Sequence, residues 1–147
     1  MKIIFCDVDG VLNCRQDFVG RKTRHVLCPD KIARLHEIIA RTGADVVLSS
    51  TWRKFPPSVK FLKRNKVKFI SMTSTTVRGP HLGSYVERGR EIDEWLKWHP
   101  DVERFCILDD DSDMFPYQLP FFVQTDFKDG LQQEHVERVV EILNREN

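Results

Sequence analysis

Three short apolar runs in this chain each end on an oxygen-bearing side chain. Ile3-Ile4-Phe5-Cys6 meets Asp7, Val46-Val47-Leu48 meets Ser49, and Phe105-Cys106-Ile107-Leu108 meets Asp109. Unbroken apolar runs without alternation are what strands buried on both faces require, and such strands belong to parallel sheets covered by helices. Helical patterns separate them, as that architecture demands. Pro29 opens a helix whose stripe is Ile32, Leu35, Ile38 and Ile39, and Gly43 closes it. Pro56 and Pro57 start a short basic helix through Asn65, followed by an expected strand near Val67 to Ile70. Ser71 to Ser84 reads as a long loop, and Glu87 to Trp98 as a helix with Ile92, Trp95 and Leu96 on one face. Phe121-Phe122-Val123 is the fifth expected strand, and Leu131 to Asn144 a closing amphipathic helix. Residues 11–28 lack periodicity and carry five basic or histidine side chains, so they read as an inserted loop or small flap.

A length of 147 residues suits a single domain spanning 1–147. No apolar run exceeds four residues, which excludes a membrane-spanning segment, and the apolar start meets Asp7 too early for a signal peptide. The four cysteines (Cys6, Cys14, Cys28, Cys106) form no Cys-x-x-Cys pair, so a reducing, cytoplasmic setting is expected. Cys14, His25 and Cys28 lack the spacing of a zinc site. The net charge is +1, but residues 46–86 hold eight Lys/Arg and no acid, a layout that favours an anionic partner.

Ligands of open α/β sheets bind beyond the carboxyl ends of the strands. There the chain offers Asp7-Val8-Asp9-Gly10, Ser49-Ser50 and Asp109-Asp110. Carboxylates brought together in a semi-dry cleft repel one another unless a cation intervenes. A few hard oxygen ligands suit Mg²⁺, which completes its shell with water and phosphate oxygens. In the Asp-x-Asp spacing, Asp7 can attack phosphorus while Asp9 holds a proton for the leaving oxygen. Gly10 permits a sharp turn. Ser49 can donate to a phosphate oxygen, with Ser50 or Thr51 as alternates. Arg88 heads the apolar stripe of its helix and is favoured over Arg90 as the cation for the transferring phosphoryl group. Trp52 can stack on a base or pack in the core, and Arg53, Lys54, Lys60 and the flap arginines can meet backbone phosphates.

Asp7-Val-Asp-Gly-Val-Leu-Asn, Val-Val-Leu-Ser49, Arg88-Gly-Arg-Glu-Ile and Ile-Leu-Asp109-Asp110 resemble the four motifs of the haloacid dehalogenase (HAD) superfamily of phosphohydrolases, in order. Leu-Ser-Ser-Thr-Trp-Arg, Arg-Gly-Arg-Glu-Ile-Asp-Glu-Trp-Leu and Leu-Asp-Asp-Asp-Ser-Asp-Met look like the branch associated with RNA-repair proteins, which is similar to the phosphatase half of polynucleotide kinase-phosphatase. The resemblance implies a Rossmann-like, three-layer sandwich around a mostly parallel five-stranded sheet, with a minimal flap in place of a cap domain. It also implies Asp7 as a nucleophile forming an aspartyl-phosphate, Asp9 as acid and then base, and Ser49 and Arg88 as phosphate ligands. Mg²⁺ would be held by the Asp7 side chain, the Asp9 backbone carbonyl and a carboxylate of the Asp109-Asp110 pair. Asp110 is favoured as the direct ligand, Asp109 as its support and Asp113 as a reserve. Val11 stands where many members have threonine.

The expected function is a Mg²⁺-dependent phosphomonoesterase whose substrate is an RNA or DNA end carrying a 3′-phosphate, or a nucleotide. Ser50, Trp52 and Arg53 are the expected substrate contacts. A phosphatase for small metabolites or phosphoproteins is the rival reading, and a non-catalytic phosphate- or nucleic-acid-binding module a third.

Overall fold

The computed structural model describes residues 1–75 and 87–146. Five strands form one all-parallel sheet: β1 (Lys2–Cys6), β2 (Asp45–Leu48), β3 (Ser71–Met72), β4 (Arg104–Asp109) and β5 (Phe122–Gln124). Their order is β3-β2-β1-β4-β5. The chain winds outward from β1 to β3 and then returns to the other side of β1. Between β1 and β4 the winding reverses, and an open α/β sheet places its ligand crevice at such a point.

Four helices pack on the sheet: α1 (Pro29–Thr42), α2 (Pro56–Arg64), α3 (Glu87–Lys97) and α4 (Gln133–Asn144). Pro29 at the start of α1 loses no useful donor, and Gly43 ends it in the left-handed conformation at φ +70°. Side chains alternate across the sheet. Ile4, Cys6, Val46, Leu48, Cys106 and Leu108 pack beneath α1 and α4, and Leu62 of α2 joins that cluster. Ile3, Phe5, Val47 and Ile107 face the other way, against Ile92 and Trp95 of α3. The Trp95 indole N–H donates to Ser71 Oγ at 3.0 Å, which ties α3 to the edge strand. This is the three-layer sandwich expected. No helix among the described residues is long and apolar enough to cross a membrane.

One local expectation is corrected. The third strand is not Val67 to Ile70 but Ser71–Met72. Val67 is buried in the α1/α4 cluster while Ile70 is exposed, so this run supplies core and surface instead of a paired strand. Hydrogen bonding to β2 starts only at Ile70, whose N–H donates to the Val46 carbonyl at 2.9 Å, and the paired register at Ser71, level with Val47. Within the segment 11–28, Val11, Leu12 and Asn13 are fully buried, and the exposed portion begins with a short 3-10 turn at Arg15–Phe18. The expected long loop of 71–84 falls largely outside the described residues.

Candidate active site

Strand register builds the site. Cys6 is level with Leu48 and with Leu108, and Leu48 is level with Met72. The next residue on each strand therefore falls in one row at the carboxyl edge: Thr73, Ser49, Asp7 and Asp109. Two-residue alternation then sets direction. Because Phe5, Val47 and Ile107 face α3, Asp7, Ser49 and Asp109 face α3 as well. Arg88 waits at the head of that helix.

The Arg88 guanidinium lies 3.9 Å from Asp7 Oδ1 and 3.7 Å from Asp109 Oδ2, and its side chain is mostly buried. Burial opposes its charge, but the carboxylates of Asp7, Asp109, Glu91 and Asp113 outweigh that and raise its pKa. Asp113 holds the head of α3: its Oδ2 accepts from the Arg88 backbone N–H at 3.0 Å, and its carbonyl accepts from Gly89 N–H at 2.9 Å. The reserve ligand is thus a helix cap that positions Arg88, and it lies outside the carboxylate cluster.

Asp7, Asp109 and Asp110 bring ligand oxygens within 4.8 Å of one another. Asp110 reaches the cluster by crossing Gly10, where a Cβ would sit only 2.3 Å from Asp110 Oδ2. Gly10 also adopts φ +80°, which glycine alone takes without strain. Its carbonyl accepts from Thr125 Oγ1 at 2.6 Å and its N–H donates to Asn13 Oδ1 at 2.9 Å, so the turn is held at both ends.

Burial and the Asp7 charge push the Asp109 carboxyl up to about 9 and that of Asp110 up to about 6. Three carboxylates here resist carrying three negative charges. Asp109 Oδ2 is buried without a hydrogen-bond partner. A closely set trio of hard oxygen donors, one of them orphaned, fits a divalent cation such as Mg²⁺. The linkage has a definite sign. Without a cation the folded protein binds more protons than the unfolded chain between roughly pH 4 and 9, so its stability falls as pH rises through that window. A cation replaces those protons, so Mg²⁺ is expected to raise Tm clearly at pH 8 and little at pH 5. Thermal melts with Mg²⁺ and with chelator at both pH values check this, and equal shifts would contradict it.

Asp9 stands apart from the trio and is exposed. Its Oδ1 accepts from Asn13 Nδ2 at 2.9 Å and its Oδ2 from the Trp52 indole N–H at 3.2 Å. The carboxyl group is aimed by two buried donors and keeps lone pairs for a further partner. Ser49 Oγ is fully buried with no partner, and so is Thr73 Oγ1 beside it in the row. Buried orphan hydroxyls are rare and point to an absent ligand or solvent. Cys6, one residue before Asp7, is no rival nucleophile, because burial and Asp7 push its thiol far up.

The expected substrate contacts are placed differently. Arg53 donates to the carbonyls of Ser49 (3.2 Å), Ser50 (2.8 Å) and Thr73 (2.9 Å) and pairs with Glu91, all in the interior. Its donors brace the strand ends instead of facing solvent. Ser50 Oγ accepts from Trp52 N–H at 3.1 Å and caps the short 3-10 turn Thr51–Lys54. Trp52 is buried, so its ring is wall and its N–H aims Asp9.

Sequence reasoning missed Thr73, Asn13 and Glu91. Thr73 ends a strand that was expected elsewhere, while Asn13 and Glu91 stand inside the quoted 7–13 and 88–92 strings, where no role was assigned to them. A family model described as the HAD domain in Swiss Army Knife RNA repair proteins matches residues 3–136. No curated protein and no solved structure matches the chain.

Proposed function

Because the chain belongs to the family of HAD domains in Swiss Army Knife RNA repair proteins, we propose that it is a Mg²⁺-dependent phosphomonoesterase acting on the 3′-phosphate of a nucleic-acid end. The supporting observation is the row of a carboxylate trio, a buried arginine and two orphan hydroxyls along the carboxyl edge of the sheet. The setting inside RNA repair proteins favours an RNA end, and the acid-free stretch 46–86 favours a polyanion over a small metabolite.

In this reading a carboxylate oxygen of Asp7 attacks phosphorus. The bond from phosphorus to the leaving oxygen breaks as Asp9 gives that oxygen its proton, leaving the phosphoryl group on Asp7. Asp9, now a base, takes a proton from water, which attacks phosphorus, releases inorganic phosphate and restores the Asp7 carboxylate. Ser49 and Arg88 hold the non-bridging oxygens throughout, as preorganised donors in a largely buried site. Asp7, Asp110 and the Asp9 carbonyl would hold Mg²⁺, supported by Asp109. When bound, the ion neutralises the clustered charge and that of the phosphoryl group.

The test is phosphate release from a panel of 3′-phosphorylated oligonucleotides, mononucleotides, phosphoamino acids and sugar phosphates, with Mg²⁺ or chelator. Oligonucleotide ends are expected to lead, with kcat/KM falling as salt is raised. Equal rates on sugar phosphates without a salt slope would favour a small-metabolite phosphatase, and no release from any phosphoester a silent binding module.

A further inference from the structure

A cavity opens beside the carboxyl group of Asp9. Its volume is about 390 Å³, and Arg24, His25, Thr51, Trp52, Phe55, Pro57 and Ser58 line it together with Asp9. That volume lies within the range, about 300–1,000 Å³, of pockets that take one small organic molecule. Neither the carboxylate trio nor Arg88 contributes to it.

Its walls are aromatic and fixed before any ligand arrives. His25 stacks on Phe61 with ring centres 5.1 Å apart and lies 5.6 Å from the Trp52 ring. His25 Nε2 is hydrogen-bonded to Ser58 Oγ at 2.9 Å. Trp52 is held by its N–H to Asp9. Phe55 differs: its ring is half exposed although its backbone caps α2. An exposed aromatic ring at the rim of an aromatic pocket is a surface on which a flat, π-bearing group can stack. Arg24, an exposed residue of the lining, supplies a positive charge.

Position decides what the cavity would receive. If Asp9 protonates the leaving oxygen, the body of the leaving group must lie on the Asp9 side, and this cavity is there. We propose that the pocket beside Asp9 seats the nucleoside whose 3′-phosphate is being removed, with its base stacked on Phe55 and Arg24 facing the phosphate on its 5′ side. The assignment rests on Asp9 acting as the acid in the reading above. A strand end and a free nucleoside 3′-monophosphate share this chemistry.

The experiment compares three substrates: a 3′-phosphorylated oligonucleotide, the same strand with an abasic terminal residue, and a nucleoside 3′-monophosphate. The intact strand is expected to exceed the abasic one about tenfold in kcat/KM, mostly through KM. Phe55→Ala should shrink that ratio below about threefold, and Phe55→Trp should restore it. A strand-to-abasic ratio near one in the wild type, or a ratio unmoved by Phe55→Ala, would overturn the pocket while leaving the phosphatase reading intact. The free nucleotide separates the sources: a rate near that of the strand assigns the pocket to a lone nucleoside, a much lower one to a strand end. Calorimetric binding to Asp7→Asn is read independently of turnover. Nucleoside 3′-monophosphate binding about tenfold tighter than ribose 3-phosphate supports the pocket even if no phosphoester is hydrolysed, and equal binding overturns it.

Discussion

Replacing Asp7 with Asn should lower phosphate release by about 10³-fold or more while the fold is kept. The amide has nearly the shape of the carboxylate but cannot attack phosphorus, and it removes one of three charges gathered within 4.8 Å. A second result follows from the same geometry. Asp7 is one of the groups that pushes up the carboxyls of Asp109 and Asp110, so removing its charge relieves a repulsion present in the cation-free protein. Mg²⁺ at pH 8 should therefore shift the Tm of the variant less than that of the wild type. A variant that unfolds would not show this pattern. Retained turnover would remove Asp7 from the nucleophile role.

The largest effect on stability is expected at Arg53. Its guanidinium is almost wholly buried, pairs with Glu91, and donates to four backbone carbonyls just beyond β2 and β3. Breaking a buried pair from one side leaves the other charge uncompensated, at a cost of about 3–5 kcal/mol. Burial already pushes the Glu91 carboxyl up, so Arg53→Met strands a group that is poorly solvated. The Tm should fall by roughly 10 °C, taking about 2–4 °C per kcal/mol at this chain length. Arg53→Met with Glu91→Leu should recover part of that loss, because both charges then leave together. Denaturant and thermal unfolding of the two variants measure this. Were Arg53 mainly a contact to substrate, the single variant would melt like the wild type and show only a raised KM.

The arginine illustrates what local pattern conveys and what it does not. Arg53 follows a Ser-Ser-Thr-Trp run in a basic stretch, and by composition it looks like a phosphate contact. The fold turns it inward, because the short turn after β2 brings it back over the carbonyls that the strand ends leave unpaired. Asp113 makes the same point. Among four aspartates in five positions, spacing alone could not separate ligand from cap, and the docking of α3 on the 113–115 backbone decided it. Thr73 was missed for a related reason. An edge strand of two residues has no hydrophobic period to read, and its start is set by the hydrogen bonds that β2 offers.

The apolar runs and their terminal carboxylates were readable without coordinates, since burial on both faces demands continuous apolar side chains and the polar residue that follows marks the sheet edge. Asp7, Ser49 and the Asp109-Asp110 pair could be named from that, Asp9 from its spacing to Asp7, and Arg88 from its place at the head of a helical apolar stripe. Their common row, the passage of Asp110 across Gly10, the donors that aim Asp9 and the inward turn of Arg53 required the folded chain. These depend on register and on contacts between residues far apart in sequence, and no local spacing encodes either.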